Sequence, residues 1–204
     1  MPYSLGKMKR LLWLCLAITC HKAVTAQFTD TLAVNLAYER LYLLPEDQAD
    51  SLPYYGQQME QFSKAKGYTR GLAYAYRLLG ISAEYREDPG AAIDYYLRFR
   101  RSAETLGDTV LTASAISDAA GIYAKLKQFN EAKQSYLDYI ALLQPTNSRQ
   151  KLAKGYSNLG VIYRRENRFD SAYFWYTKAL AIRQQLNDSA GIATVHNNLA
   201  SLLL

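Results

Sequence analysis

Small residues recur at intervals of 40 positions along this chain, and this spacing constrains the fold more than any other feature. Four columns of the repeat keep one kind of residue without slippage: Gly80, Ala120, Gly160 and Ala200; Ala92, Ala132 and Ala172; Tyr96, Tyr136 and Tyr176; and Ala73, Ala113, Ala153 and Ala193. A unit of about 20 to 50 residues at a fixed period is typical of a solenoid, in which neighbouring units stack to bury a continuous core. The sequence therefore predicts a repeat architecture.

Each 40-residue unit has the pattern of two amphipathic helices. Apolar residues fall at i, i+3 and i+7 at Tyr156, Leu159 and Tyr163, which is one face of a helix. The polar residues 165–168 leave room only for a tight turn before the next helical pattern. We predict an all-α fold, an α-solenoid of antiparallel helix pairs. A glycine or alanine on the first helix is expected to face an alanine on the second, which permits an interaxial distance at the close end of about 8–10 Å.

The segment from Tyr156 to Ala179 resembles the tetratricopeptide repeat. It follows the family's order of large residue, Leu, Gly, Tyr, Ala, aromatic residue and Ala at every spacing: Tyr156, Leu159, Gly160, Tyr163, Ala172, Tyr176 and Ala179. The two preceding units match in part, with Phe99 and Tyr139 in place of the last alanine. The 40-residue period exceeds the usual length of about 34, which implies longer helices or a longer linking turn. The resemblance implies an array like those of bacterial secreted and sensor proteins.

The predicted organisation has six segments. A signal peptide (1–26) precedes a degenerate N-terminal capping helix pair (27–69). Three repeats follow at 70–108, 109–148 and 149–188, and residues 189–204 are the first helix of an incomplete fourth repeat. In the capping pair, Thr29 or Asp30 is expected to cap a helix with its apolar face at Leu32, Leu36, Leu41 and Leu44, which Pro45 ends.

The first 26 residues have the three parts of a secretory signal. A basic start is followed by an apolar stretch over 11–18 and by the small-residue pattern Val24-Thr25-Ala26 before Gln27. The apolar stretch is shorter than the roughly 20 residues that span a bilayer. We expect export to the periplasm or another extracytoplasmic space, with Gln27 as the mature N-terminus. Retention of the leader, or lipidation at Cys20, are the alternatives.

The net charge of +6 comes mostly from the leader. Beyond residue 26 the chain has 20 basic and 18 acidic residues, and both cysteines lie before that point. A nucleic-acid partner would need a basic stripe, so none is predicted. Without cysteine, the mature chain is predicted to have neither a disulfide nor thiolate chemistry.

No catalytic or metal-binding motif is present in the sequence. His196 is the single histidine of the mature chain and shares a column with Tyr76, Ile116 and Tyr156, so we expect it to pack between helices. No HExxH, GxSxG or phosphate-binding glycine loop occurs. We predict that the protein is not an enzyme and that it uses no metal and no cofactor. The tyrosines in repeat columns are expected to pack, whereas Tyr74, Tyr95 and Tyr173 are candidates for surface contacts.

The resemblance implies binding on a concave face lined by first-helix residues outside the packing columns. The candidate residues there form a polar, mildly basic groove: Arg77, Ser117, Lys154, Ser157, Asn158, Arg164 and Asn197. The two-carboxylate clamp of chaperone-binding relatives would need lysine in the row of Arg77 and asparagine in the row that here holds Ile81, Gly121, Val161 and Ser201. A chaperone-adaptor role is therefore disfavoured.

The predicted function is an exported scaffold that binds a protein or peptide. The alternative is the sensor portion of a longer membrane signalling protein, such as a histidine kinase or a transcriptional regulator. The three leucines at 202–204 would leave an apolar end, so we expect either a fragment of a longer chain or self-association through the C-terminal helix.

Overall fold

A computed structural model describes residues 28–44 and 50–202, and this part of the chain contains nine α-helices and no strand. The helices are α1 (Thr31–Tyr42), α2 (Leu52–Lys66), α3 (Thr69–Tyr85), α4 (Pro89–Thr105), α5 (Thr109–Lys125), α6 (Phe129–Leu143), α7 (Arg149–Arg165), α8 (Phe169–Gln185) and α9 (Ser189–Ala200). From α2 onward each helix packs on its successor, and α1 packs on α3. The predicted all-α solenoid of helix pairs is confirmed. The predicted leader, the Gln27 terminus and Pro45 lie outside the described residues.

Longer helices account for the 40-residue period. Helices α3, α4, α5, α7 and α8 have 17 residues each, and three-residue turns separate most of them. Each of these turns has one residue in the left-handed conformation: Glu87, Gly107, Lys127, Asn167 and Asn187. Gly107 and Asn187 were predicted to adopt it. The left-handed residue ends each helix and allows the next helix to begin after only three residues.

Aspartates cap four of the helices through the amide three residues ahead. Asp88, Asp108 and Asp188 accept from the backbone N–H groups of Ala91, Leu111 and Gly191 at 2.9–3.0 Å, and Asp30 caps α1 in the same way. Asn130 and Asp170 do not cap the helices that follow the turns, because both lie one residue inside them. Gln128 and Arg168 occupy the cap positions there without a side-chain cap.

The link between α6 and α7 differs from the other turns. Helix α6 ends at Leu143, two residues before Pro145, and five residues connect it to α7. Asn147 is not among the described residues with positive φ, so this link lacks the left-handed residue of the three-residue turns. Instead, the Thr146 hydroxyl donates to the Leu143 carbonyl at 2.7 Å and accepts from the Ser148 N–H at 3.2 Å.

Within a pair, the small column of the first helix faces a tyrosine ring of the second. A Cβ atom at Gly80 would lie 2.5 Å from the ring of Tyr96, and one at Gly160 would lie 2.6 Å from the ring of Tyr176. The expected partner was the alanine column. The glycines are needed because each ring crosses directly over the first helix, where a side chain would overlap it.

Between pairs, a large residue always meets a small one. Phe99 packs in one cluster with Ala115, and Ala179 packs with Val195. In the middle unit the ring of Tyr139 lies against Gly155, where an added Cβ would be 2.7 Å away. Phe99 and Tyr139 depart from the family pattern, and small residues on the following helix compensate for both.

The buried face of α1 differs from the predicted one. Leu32 and Leu36 are 63% and 46% exposed, whereas Val34, Ala37, Tyr38 and Leu41 are buried. The reason is the position of α1 against α3, where the Tyr38 ring stacks on Tyr74 at 3.9 Å between centroids. The prediction is therefore wrong for Leu32 and Leu36, whereas Leu41 is buried and Leu44 is half-buried as expected.

Two expectations about the last helix are also wrong. His196 is exposed rather than packed between helices. Leu202 is half-buried against Ala172, Tyr176, Ala179 and Val195, so it is not an unshielded leucine. Residues 203–204 lie outside the described part of the chain.

Candidate binding groove

The first helices of successive pairs lie side by side and are joined by polar side chains. Salt bridges link α3 to α5, and the Arg165 guanidinium of α7 donates to the Ala124 carbonyl of α5 at 3.2 Å. We call the surface of these three helices the inner groove and define it by Arg77, Ile81, Glu84, Asp118, Lys125, Asn158 and Arg165. The predicted candidates Lys154 and Arg164 lie on the same α7 surface.

Arg77 is the centre of a polar cluster at the N-terminal end of the groove. Its Nε donates to Asp118 Oδ2 at 2.8 Å, and its two terminal nitrogens donate to the hydroxyls of Tyr38 and Tyr42 at 3.0 Å each. The guanidinium also lies 4.4 Å from the ring centroid of Tyr42. The Arg77 side chain is only 13% exposed. The cluster therefore binds three first helices together, and Arg77 is not the solvated groove residue that the sequence suggested.

In the pair of Arg77 and Asp118, burial and the opposite charge shift each pKa in opposite directions. Burial alone would lower the pKa of Arg77, but the Asp118 carboxylate and the tyrosine oxygens hold that pKa above its usual value. Burial raises the pKa of Asp118, and the Arg77 guanidinium opposes that rise. Arg77 stays charged at every accessible pH, and its desolvation is offset by three hydrogen-bonding partners, Asp118, Tyr38 and Tyr42.

Glu84 links two repeats in the same part of the groove. Its Oε1 accepts from the Tyr96 hydroxyl at 2.5 Å, and its Oε2 accepts from Lys125 Nζ of the next repeat at 2.6 Å. A cleft of about 610 Å³ opens beside this bridge and is lined by Tyr42, Ile81, Glu84, Tyr85, Glu87 and Lys125. Burial and the adjacent carboxylate raise the pKa of Tyr96, so the hydroxyl remains a donor.

One repeat further on, Tyr136 occupies the position of Tyr96. The Asn158 side chain and the Arg165 charge both lower the pKa of Tyr136, so both lie close to its hydroxyl. Burial, the largest influence, raises the pKa of Tyr136 to about 12. Ala124 occupies the position that Glu84 occupies in the preceding repeat. This repeat therefore contributes a hydroxyl (Tyr136), an amide (Asn158) and a guanidinium (Arg165) to the groove, but no carboxylate at position 124.

The cations of α7 lack carboxylate partners. Within the described residues, Lys154, Arg164 and Arg165 form no ion pair. Lys154 is exposed and close enough to Asp118 to lower its pKa. Arg164 lies beside the Tyr176 hydroxyl, and its Nε has no hydrogen-bond partner. This end of the groove is therefore positively charged.

The remaining candidates contribute less. Ser117 is half-buried and Asn197 is exposed on α9. Ser157 is buried, with 6% exposure, and its Oγ has no partner. The structure thus brings Lys154, Asn158 and Arg164 to one helix face of the groove, whereas Ser157 points into the packing.

Sequence reasoning missed the tyrosine hydroxyls of the second helices. Tyr96 and Tyr136 were assigned to packing, yet their rings pass over the small column and their hydroxyls reach the groove partners Glu84 and Asn158. A usable signal was present, because a glycine or alanine 16 residues before each tyrosine gives the ring room to cross.

A second surface with exposed aromatic residues lies on α8. Tyr173 and Phe174 are 58% and 50% exposed, and Lys178 Nζ lies 4.6–5.7 Å from the ring centroids of Phe174, Trp175 and Tyr156. Of the other surface candidates, Tyr74 is half-buried in its stack on Tyr38, and Tyr95 is also half-buried.

The described residues offer neither a cluster of metal ligands nor a membrane-spanning helix. Among them no group of three or more His, Cys, Asp and Glu side chains is arranged to hold a metal ion. None of their helices combines the length and the apolar character that crossing a lipid bilayer requires.

Comparison with known proteins places the repeat in a family. The family described as "Tetratricopeptide repeat" matches residues 153–186, which contain most of α7 and α8. The fold is similar to that of a signal-transduction ATPase with numerous domains and a tetratricopeptide-repeat sensor from Pyrococcus horikoshii, with a TM-score of 0.61 and 12% identity over 95% of this chain and 34% of that one. The chain contains a tetratricopeptide repeat.

Other solved structures share the fold of this tetratricopeptide-repeat protein. BtubC (BKLC) from P. vanneervenii matches with a TM-score of 0.67 and 22% identity, over 91% of this chain and 79% of that one. The apo form of RapI matches with a TM-score of 0.60 and 14% identity, over 84% and 74% of the two chains. No curated protein sequence matches the chain.

Proposed function

We propose that this tetratricopeptide-repeat protein is an exported, non-catalytic scaffold that binds an acidic segment of another protein in the inner groove. The observation that carries the proposal is the line of unpaired cations on α7 beside the groove tyrosines. The secretory pattern of residues 1–26 supports export. The fold supports a role in protein interaction, because tetratricopeptide arrays bind through extended surfaces of this kind.

Charge distribution along the chain favours an acidic partner. Residues 149–188 contain eight basic and three acidic side chains, whereas residues 27–148 contain 12 basic and 15 acidic ones. The positive charge is thus concentrated in the repeat that holds Lys154, Arg164 and Arg165. Complementary charge of this kind raises association rates and selects partners.

A peptide fits the groove better than a single-stranded nucleic acid does. Nucleic-acid grooves present exposed aromatic rings on which bases stack. Here the rings of Tyr96, Tyr136 and Tyr176 are at most 5% exposed, so they offer no open face for stacking. Hydroxyl, amide and guanidinium groups suit carboxylates and peptide carbonyls.

The test is selection of random dodecapeptides displayed on phage against the chain from residue 27 onward. We expect the selected peptides to be rich in Asp and Glu. Their affinity should fall at least about tenfold in the K154E/R165E variant, since both reversed charges face the groove. The matched control is R101E, which reverses an exposed charge on α4. Failure to select any peptide, or equal losses in both variants, would refute binding in the groove.

A second proposal keeps the fold and changes the context, making the array the sensor portion of a longer membrane signalling protein. Its support is the fold similarity to the signal-transduction ATPase, whose repeats are described as a sensor. Sequencing the native locus beyond Leu204 tests it. A reading frame that continues into more repeats and a membrane span is expected, whereas an immediate stop codon would exclude it.

A further inference from the structure

Two successive repeats contribute a similar set of side chains to the inner groove. We call the set around Glu84 the first step and the set around Ala124 the second step. In the first step, the Tyr96 hydroxyl and the Lys125 ammonium hold the two oxygens of the Glu84 carboxylate at 2.5 and 2.6 Å. Forty residues later the hydroxyl is that of Tyr136 and the cation is Arg165. The first step shows what this arrangement binds, which is a carboxylate held between a hydroxyl and a cation.

The cation of the second step reaches back in the same way as that of the first. Lys125 contacts residue 84, and Arg165 contacts residue 124, each across 41 positions. Residue 124 is alanine, so Arg165 Nη1 donates to the backbone carbonyl at 3.2 Å instead of to a carboxylate. Arg165 is exposed and forms no ion pair among the described residues. The second step therefore keeps the donors and lacks the acceptor.

We propose that the groove beside Ala124 is a carboxylate-binding site, formed by Tyr136, Asn158 and Arg165, which takes an Asp or Glu side chain or a C-terminal carboxylate of the bound segment. This inference rests on the proposed function and specifies the chemistry of its partner. The ligand carboxylate takes the place that the Glu84 carboxylate takes one repeat earlier.

The hydrogen-bonding groups of the second step are complementary to a carboxylate. The Asn158 amide and the Arg165 charge lower the pKa of Tyr136 against the larger effect of burial, so both groups lie near its hydroxyl. The hydroxyl, the amide and the guanidinium can each donate a hydrogen bond to an incoming oxygen. A charge-assisted pair of this type is among the stronger hydrogen bonds in proteins.

The acidic side chain nearest to the site does not block it. The Asp118 carboxylate helps to raise the pKa of Tyr136. Its own negative charge is compensated by Arg77 at 2.8 Å and by the neighbouring Lys154. Asn158 occupies the position that Asp118 occupies in the preceding repeat. The second step has thus lost both carboxylates of the first, and its net charge favours an anion.

The test supplies the missing carboxylate from within the chain. In A124E the new side chain should take the position of Glu84, pair with Arg165 and occupy the site. We expect fluorescein-labelled deca-glutamate to bind the wild-type chain and to bind A124E at least about tenfold more weakly. A124Q, with the same shape and no charge, should lose less than about threefold.

Two further variants remove donors without filling the site. R165Q and Y136F should each weaken deca-glutamate binding by about fivefold or more, whereas R101Q on α4 should leave it unchanged. Thermal melting reports on the geometry independently. A124E should melt about 2–4 °C above A124Q, and this difference should vanish in the R165Q background.

The outcomes separate this site from the proposed function. If deca-glutamate binds equally well to A124E, A124Q and R165Q, the site is wrong while groove binding elsewhere stands. If the peptides selected on phage bind but deca-glutamate does not, the carboxylate site is again wrong. Failure to select any peptide overturns the function itself, and a melting difference that survives R165Q overturns the geometry.

Discussion

The two ends of the inner groove have the same backbone plan and opposite chemistry. At the N-terminal end Arg77 is paired with Asp118, and Lys125 with Glu84, so each charge is satisfied by the neighbouring repeat. At the C-terminal end Arg164 and Arg165 have no carboxylate. Equivalent positions in a solenoid can therefore either join adjacent repeats by ion pairs or present unpaired charge to a partner.

The largest expected effect comes from breaking the paired end. Arg77→Ala removes one partner of a mostly buried ion pair and leaves Asp118 and two tyrosine hydroxyls without their donor. We expect a loss of about 3 kcal/mol in the free energy of unfolding, measured in urea. At the unpaired end Arg165→Ala should cost about 0.5 kcal/mol or less. Equal losses for the two arginines would contradict the comparison.

The tyrosines should make the protein sensitive to alkali. Burial raises the pKa of Tyr136 and Tyr139 to about 12, so the folded state keeps protons that the unfolded chain releases near pH 10. The unfolded state then binds fewer protons, and stability falls as pH rises from 10 to 12, by about 2–3 kcal/mol for each group.

Phenolate absorbance during an alkaline titration measures this effect. The Y136F variant should lose less stability than the wild type over the same pH range. A titration in which every tyrosine ionises together near pH 10, with the fold intact, would argue against burial of these hydroxyls.

A smaller effect tests the contact between a small residue of the first helix and a tyrosine ring of the second, which both ends of the groove share. Gly160→Leu places a side chain where a Cβ would already lie 2.6 Å from the Tyr176 ring, so overpacking should cost about 1–3 kcal/mol. Gly121 is a suitable control because nothing lies within 4 Å of its Cβ position. Gly121→Ala should stabilise the helix by up to about 1 kcal/mol. An unchanged melting temperature for Gly160→Leu would show that the ring does not cross there.

The smallest effect concerns the helix starts at the two ends. Asp108 caps α5 through the Leu111 amide and pairs with Arg70 of the preceding repeat at 3.0 Å. Its counterpart Ser148 makes no side-chain cap. Asp108→Ala should therefore cost about 1 kcal/mol and Ser148→Ala clearly less, as measured by thermal unfolding. The reverse order would show that the serine is the more important cap.

The fold could be predicted because local sequence patterns specify each helix pair of the repeat. The small column, the aromatic column and the turn residues each specify short-range structure, and together they require helix pairs at a 40-residue period. The buried face of α1 could not be read in the same way. Two of its three leucines, Leu32 and Leu36, are exposed, and only the contact with α3 decides which side of the helix is covered.

Helical spacing predicts the helix face on which each candidate groove residue lies, but not what its side chain contacts. The rows that contain Arg77, Asn158 and Arg164 follow from helical spacing, which fixes the face on which a residue lies. Whether an arginine on that face is solvated or buried depends on what lies 35 to 41 residues away, as the partners Tyr42 and Asp118 of Arg77 show. Long side chains that reach across repeats are outside what one helical period can predict.

The alternation of large and small residues between repeats has a consequence for how the array assembles. Phe99, Tyr139 and Ala179 meet Ala115, Gly155 and Val195 respectively. If the chain slipped by one whole repeat during folding, or exchanged repeats with another molecule out of step, Tyr139 would meet Val195 and overfill the contact. The contacts between repeats are therefore not interchangeable, because this mismatch disfavours an out-of-step join.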